Sequence, residues 1–214
     1  MGPYYPVCLN LAGKTCAVVG GGSVAERKVR SLFEAGGGVR VVSPRVTKGI
    51  KELTKNGKVT WLRQEYEPAC LEGSFLVVAA TGDRLVNSRI VADCKERNIL
   101  VNTADSLPES DFIASAHFRR GDLVIAVSTG GKGPALAAKI RGELESLYGP
   151  EYAVLLDVLG MARDMARRRI DDPLARSKKL KDMVAGGQVS RLVLEGRLEE
   201  AREEVRKCLS PFSG

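Results

Sequence analysis

The residues Gly20-Gly21-Gly22-Ser23-Val24-Ala25 have the spacing G-x-G-x-x-A. An apolar, strand-like run (15–19, TCAVV) precedes them, and helical periodicity follows from Ser23 through Val24, Ala25, Val29, Leu32 and Phe33. Between a strand and a helix this spacing points to dinucleotide binding. Gly20 permits a tight turn, Gly22 admits a pyrophosphate to the backbone, and the small Ala25 lets the helix pack on the sheet. The amides of Ser23 and Val24 then face the phosphates. The acidic residue that often holds the adenosine ribose about 20 residues further on is replaced by Ser43-Pro44-Arg45. Ser43 and backbone groups can hold a ribose, whereas Arg45 suits a 2′-phosphate, so the residues alone leave NAD and NADP open. Asp105 follows another short apolar strand (99–102) in Asn102-Thr103-Ala104-Asp105. By position its carboxylate is either a proton acceptor or a turn cap. Thr81, Asn87 and Asn102 sit near the same strand ends, where they can bind ribose or nicotinamide or satisfy loop backbone. Thr129-Gly130-Gly131-Lys132 precedes a helix and can cradle a carboxylate with its amides and the Lys132 ammonium.

These groups need a scaffold that brings strand ends together. Strands expected at 15–19, 39–43, 59–62, 76–80 and 99–102 alternate with helices at 23–35, 47–56 and 85–97, and some strands are apolar on both faces. That pattern is an α/β, Rossmann-like parallel sheet covered on both sides. Two further strand-like runs, 112–118 and 123–128, flank Arg119-Arg120-Gly121-Asp122 and read as an antiparallel hairpin. A helix follows at 135–147, and after Gly149-Pro150 the pattern is helical only, at 151–169, 173–185 and 189–208. The expected division is a nucleotide-binding domain over 1–112, a hairpin-and-helix segment over 113–149 and a small helical domain over 150–214.

Composition narrows the function classes. The chain has 214 residues and is 44% hydrophobic, enough for a real core. No apolar run approaches the ~20 residues of a membrane helix. The N-terminus lacks the layout of a secretory signal, so a cytoplasmic protein is expected. The net charge is +7, but aromatic residues are only 5%, little material for stacking nucleic-acid bases, so no nucleic-acid partner is expected, and an anionic small molecule explains the charge equally well. The five cysteines form no C-x-x-C pair and His117 is the one histidine, so no metal site is read from spacing.

Several segments together resemble one family: VVGGGSVAERKVRSLFEAG (18–36), VVAATGDRLVNSRI (77–90), RNILVNTAD (97–105) and DFIASAHFRRGDLVIAVSTGGKGPALAAKIRGELE (111–145). They are similar, in order, to the precorrin-2 dehydrogenases and the N-terminal part of siroheme synthase. The resemblance implies NAD-dependent oxidation of precorrin-2 to sirohydrochlorin in siroheme or cobalamin biosynthesis, with insertion of Fe²⁺ or Co²⁺ by some relatives. It implies a stand-alone form without the methyltransferase domain of the trifunctional relatives. It also implies a homodimer built largely by residues 113–148. Asp105 matches the family's catalytic aspartate. Thr129, Gly130, Gly131 and Lys132 match a stretch bordering the tetrapyrrole, whose eight carboxylates are suited to Arg119, Arg120, Lys132, Lys139 and Arg141. Two departures stand out. Thr81-Gly82-Asp83 replaces the usual T-D-D or T-N-D, and Phe112-Ile113-Ala114-Ser115-Ala116 lacks the usual proline. The competing readings are a chelatase without redox activity and a Rossmann-type nucleotide-sensing module.

Overall fold

The computed structural model describes residues 4–210. Contacts divide the chain into two compact units. The first holds residues up to Ala114 together with Gly130–Lys132, and the second holds Ser115–Thr129 and the chain from Gly133 onward. The hairpin and the helix after it therefore group with the C-terminal helices.

The first unit is a five-stranded parallel sheet in the order β3-β2-β1-β4-β5. Its strands are β1 (Thr15–Val19), β2 (Gly38–Val42), β3 (Val59–Leu62), β4 (Ser74–Ala79) and β5 (Leu100–Thr103). The helices are α1 (Ser23–Glu34), α2 (Lys48–Lys55) and α3 (Arg84–Glu96). Strand alternation assigns the two faces. Cys16 and Val18 of β1 pack with Val41, Val78, Ala25, Val29 and Ile50. Ala17 and Val19 pack with Val77, Ala79, Val101, Ile90 and Cys94 on the other face. This explains why the central strands are apolar at consecutive positions. The expected strands and helices are present, with ends displaced by one or two residues.

Chain order reverses direction beside β1, which lies between β2 and β4. The carboxyl ends of β1 and β4 form the crevice where ligands of such sheets bind. Its walls are very close. Gly20 has φ +129°, and a Cβ there would lie 2.2 Å from the Ala80 carbonyl oxygen. A Cβ on Gly21 would lie 1.9 Å from the Arg45 carbonyl oxygen, while the Gly21 carbonyl accepts from the Thr47 amide at 3.0 Å.

The second unit opens with the hairpin of β6 (Ala116–Arg120) and β7 (Leu123–Val127), turning at Gly121 with φ +56°. Its helices are α4 (Pro134–Leu147), α5 (Glu151–Arg169), α6 (Pro173–Gly186), α7 (Gln188–Leu194) and α8 (Leu198–Cys208). Ala162, Ala166, Ala201 and Val205 are fully buried in its core. Two expectations are corrected. The strand expected from 112 begins at Ala116, because residues 110–112 are hydrogen-bonded back to β5. The helix expected over 189–208 is two, because Gly196 takes φ +76° and ends α7.

Overpacking against fixed backbone costs about 1–3 kcal/mol. Gly21→Ala is expected to lower stability by at least that amount, measured by urea unfolding, since the atom it would strike is a carbonyl rather than a movable side chain.

Candidate active site

The turn after β1 is shaped to receive an anion. Gly22 is the N-cap of α1 and contributes no side-chain hydrogen bond to it, so no cap side chain covers the first-turn amides. A Cβ on Gly22 would meet no atom within 4 Å. Open space thus lies over the one glycine of the turn that a phosphate has to approach. Ser23 and Val24 are exposed at the helix start, while Ala25 is fully buried against the sheet. The residues present therefore fit a dinucleotide. Across β2, the Ser43 hydroxyl donates to the Arg45 carbonyl at 2.7 Å, and the Ser43 carbonyl accepts from Trp61 Nε1 at 2.8 Å. Pro44 and Arg45 are exposed on this turn, beside Gly21.

Beyond β4, a network of short polar side chains leads to Asp105. Asn87, in the first turns of α3, is 1% exposed. Its Oδ1 accepts from the Thr81 amide at 3.2 Å and the Thr81 hydroxyl at 2.7 Å, and its Nδ2 donates to Asp105 Oδ2 at 3.0 Å. The Thr103 hydroxyl donates to Asp105 Oδ1. Asp83 caps α3 by accepting from the Leu85 and Val86 amides, so the Thr81-Gly82-Asp83 departure keeps a well-formed helix entry. Asp105 itself is exposed. The hydroxyl of Thr103 and the amide of Asn87 hold its carboxyl below the ordinary carboxylate range, with Arg84 adding a smaller electrostatic effect. The group is therefore an oriented, ionised carboxylate at neutral pH, able to accept a proton from a bound molecule.

The loop bearing Asp105 is tied back onto β5. Asp111 donates its amide to the Val101 carbonyl at 2.8 Å and accepts from the Val101 amide at 2.9 Å, while Ser110 Oγ accepts from the Thr103 amide at 2.9 Å. Asn102 completes this closure. It is 6% exposed and donates Nδ2 to the Phe112 carbonyl at 2.9 Å. Its Nδ2 thus serves the loop backbone, one of the two roles expected for it. Gly131 lies on the same loop's Leu107, with a Cβ position 2.4 Å from Leu107 Cδ2. Gly130 and Gly131 have φ +60° and +79°, so this turn needs both glycines. Within this unit, the Gly130–Lys132 segment and the Asp105 loop are therefore neighbours.

In the second unit, the Thr129 hydroxyl accepts from the Gly133 amide at 3.2 Å. Arg120 pairs with Glu145 at 3.3 Å and stacks over Phe118, Arg141 pairs with the same Glu145, and Lys139 lies 3.7 Å from Glu143. Three of the five candidate carboxylate-binding cations thus have acidic neighbours of their own. Arg119 and Lys132 are exposed and form no ion pair among the described residues. His117 is exposed on β6, its Nδ1 3.0 Å from the Ser115 carbonyl oxygen. Among the described residues no three His, Cys, Asp or Glu side chains gather as a metal site. In the first unit, at the amino ends of β4 and β5 and so at the opposite edge of the sheet from Asp105, a cleft of about 450 Å³ is lined by Pro68, Leu71, Ser74, Arg97 and Ile99. Sequence reasoning missed Gly21, which it treated as the variable position of the motif, and Thr103 and Ser110, for which spacing offered no signal. The triple glycine was the available hint for Gly21.

Residues 7–116 match a family model described as "Putative NAD(P)-binding", and residues 120–147 match one described as "Sirohaem biosynthesis protein central". The chain is 38% identical over 207 residues to a siroheme synthase of Chromobacterium violaceum, covering 97% of this chain and 44% of that protein. It is 34% identical over 206 residues to siroheme synthase 1 of Pectobacterium atrosepticum, covering 96% and 43%. The chain thus spans less than half the length of these relatives. Among solved structures, it superposes on SirC, a precorrin-2 dehydrogenase, with TM-score 0.76 and 29% identity, covering 95% of this chain and 100% of that one.

Two outcomes are expected. Gly22→Ala leaves thermal stability unchanged, because its Cβ enters open space, but weakens NAD⁺ binding at least about tenfold by calorimetry, or ~1.4 kcal/mol. Asp105 has a folded value below the unfolded one of about 3.9, so it stabilises the fold above that pH and ceases to as pH falls through its folded value. Thermal melts of wild type and Asp105→Asn are therefore expected to keep a constant difference above about pH 5 and to converge in favour of the variant below about pH 4.

Proposed function

The chain belongs to the NAD(P)-binding family whose model covers residues 7–116, and from that premise we propose that it oxidises precorrin-2 to sirohydrochlorin with NAD⁺. The observation that carries this reading is Asp105: an ionised carboxylate, held by Thr103 and Asn87, at the same strand-end edge of the sheet as the open anion turn at Gly22. When bound, the nicotinamide supplies the hydride acceptor. Gly22, Ser23 and Val24 hold the pyrophosphate through their amides, and Thr81 and the Ser43–Arg45 turn flank the riboses. Asp105 takes the proton that the macrocycle loses with the hydride, so the substrate gives up two electrons and two hydrogens in all. Lys132 binds carboxylates of the tetrapyrrole from the segment of the first unit that follows Gly131, which packs on Leu107 of the Asp105 loop.

The wider assignments follow the same reading. The protein acts as a homodimer in the cytoplasm, where its five free thiols stay reduced. The half-buried Leu123, Val124, Ile125 and Val127 of a hairpin with only two strands support pairing through this segment.

The test mixes purified protein with precorrin-2 and NAD⁺ without oxygen, following NADH and the sirohydrochlorin spectrum. Equal amounts of both products are expected, and folded Asp105→Ala is expected to lose at least about 100-fold in turnover. No NADH from the wild type, or full turnover by that variant, contradicts the reading. Light scattering of Ile125→Lys beside the wild type checks the dimer: dimer to monomer is expected.

A further inference from the structure

Among the described residues, every polar contact of the Asn87 side chain goes to one of two places. Oδ1 is taken by the Thr81 amide and hydroxyl, and Nδ2 is shared between the Thr81 carbonyl at 3.3 Å and Asp105 Oδ2 at 3.0 Å. The residue is 1% exposed. An amide buried to that extent, with acceptor and donor both engaged, has no surface left to offer a ribose or nicotinamide. It can, however, transmit position between the two segments it joins. One is the turn after β4, whose Thr81-Gly82-Asp83 geometry also depends on the Thr81 hydroxyl and the Asp83 cap. The other is the carboxylate of Asp105 at the head of the loop after β5.

We propose that Asn87 is a positioning residue rather than a cofactor ligand: its buried amide aims the Asp105 carboxylate and ties it to the Thr81–Asp83 turn, so that base and cofactor loop keep one fixed relation. This rests on the reading of Asp105 as the base. The amide's two ends make the idea separable. Asn87→Asp is isosteric and keeps an oxygen to accept from Thr81. It removes the N–H that Asp105 receives and places a second carboxyl there. Two carboxyls at hydrogen-bond distance titrate as a pair, and one proton is retained to higher pH.

The experiment follows side-chain carboxyl ¹³C shifts against pH in the full chain, together with the pH profile of turnover. In Asn87→Asp the titration of the site is expected to rise by at least about one pH unit. The acid limb of kcat should rise with it, while KM for NAD⁺ stays within about threefold, because the Thr81 turn keeps its acceptor. A residue with only a structural role would alter stability and leave the acid limb in place. A folded Asn87→Asp whose site titration and acid limb coincide with those of the wild type overturns the proposal. If that variant does not fold, Asn87→Ser takes its place: a higher Asp105 midpoint supports the proposal and an unchanged one overturns it. The titration needs no turnover, so it decides the role of Asn87 even if precorrin-2 is not a substrate. Conversely, loss of turnover in Asp105→Ala beside an unmoved limb in Asn87→Asp refutes this proposal alone.

Discussion

The close approach of three backbone segments at the carboxyl end of β1 is the constraint on which the rest of this structure depends. The carbonyls of Ala80 and Arg45 occupy the positions that side chains on Gly20 and Gly21 would need. The loops after β4 and β2 can therefore lie directly against the glycine turn. Gly22, by contrast, faces open space. Two glycines make the crevice narrow, and the third keeps its floor bare. The parallel order around β1 supplies the crevice, and apolar residues on both faces of the central strands hold that order in place.

From this crevice the chemistry is built outward with short side chains. Asp105 is exposed, yet it is not free to wander, because Thr103 and Asn87 donate to its two oxygens. Its loop is closed onto β5 by Ser110, Asp111 and Asn102. An edge strand with unpaired backbone groups invites other pairing; here Asp111 occupies the Val101 amide and carbonyl and covers part of that edge. One device thus serves the fold and the site. Donors aimed at the charged form lower the carboxyl's affinity for protons, so what they supply is orientation and constant ionisation.

The strands and helices were legible because their signals are local: alternating or continuous apolar runs, helical spacing, and glycine breaks. The sheet edge was legible for the same reason, since Gly20, Gly22, Thr81 and Asp105 all follow strand ends. What could not be read was the direction of each side chain. Asn102 and Asn87 look alike in sequence, each near a strand end, but the first turns to the Phe112 carbonyl and the second to Asp105. Arg119 and Arg120 are adjacent, but strand alternation sends Arg120 to Glu145 and leaves Arg119 exposed. Residues 112–115 have strand-like composition, but tertiary hydrogen bonds to β5 hold the chain just ahead of them. Family resemblance singles out Asp105; the structure supplies the partners that orient it.

The central claim is that a dinucleotide binds over the glycine turn and reaches along the strand ends to Asp105. Titrating NAD⁺ into ¹⁵N-labelled protein tests it residue by residue. The expected result is that the amides of Gly22, Ser23, Val24, Thr81 and Asp105 shift together along one binding curve. Shifts confined to the cleft around Pro68, Ser74 and Arg97, with the glycine turn and Asp105 unmoved, would contradict it.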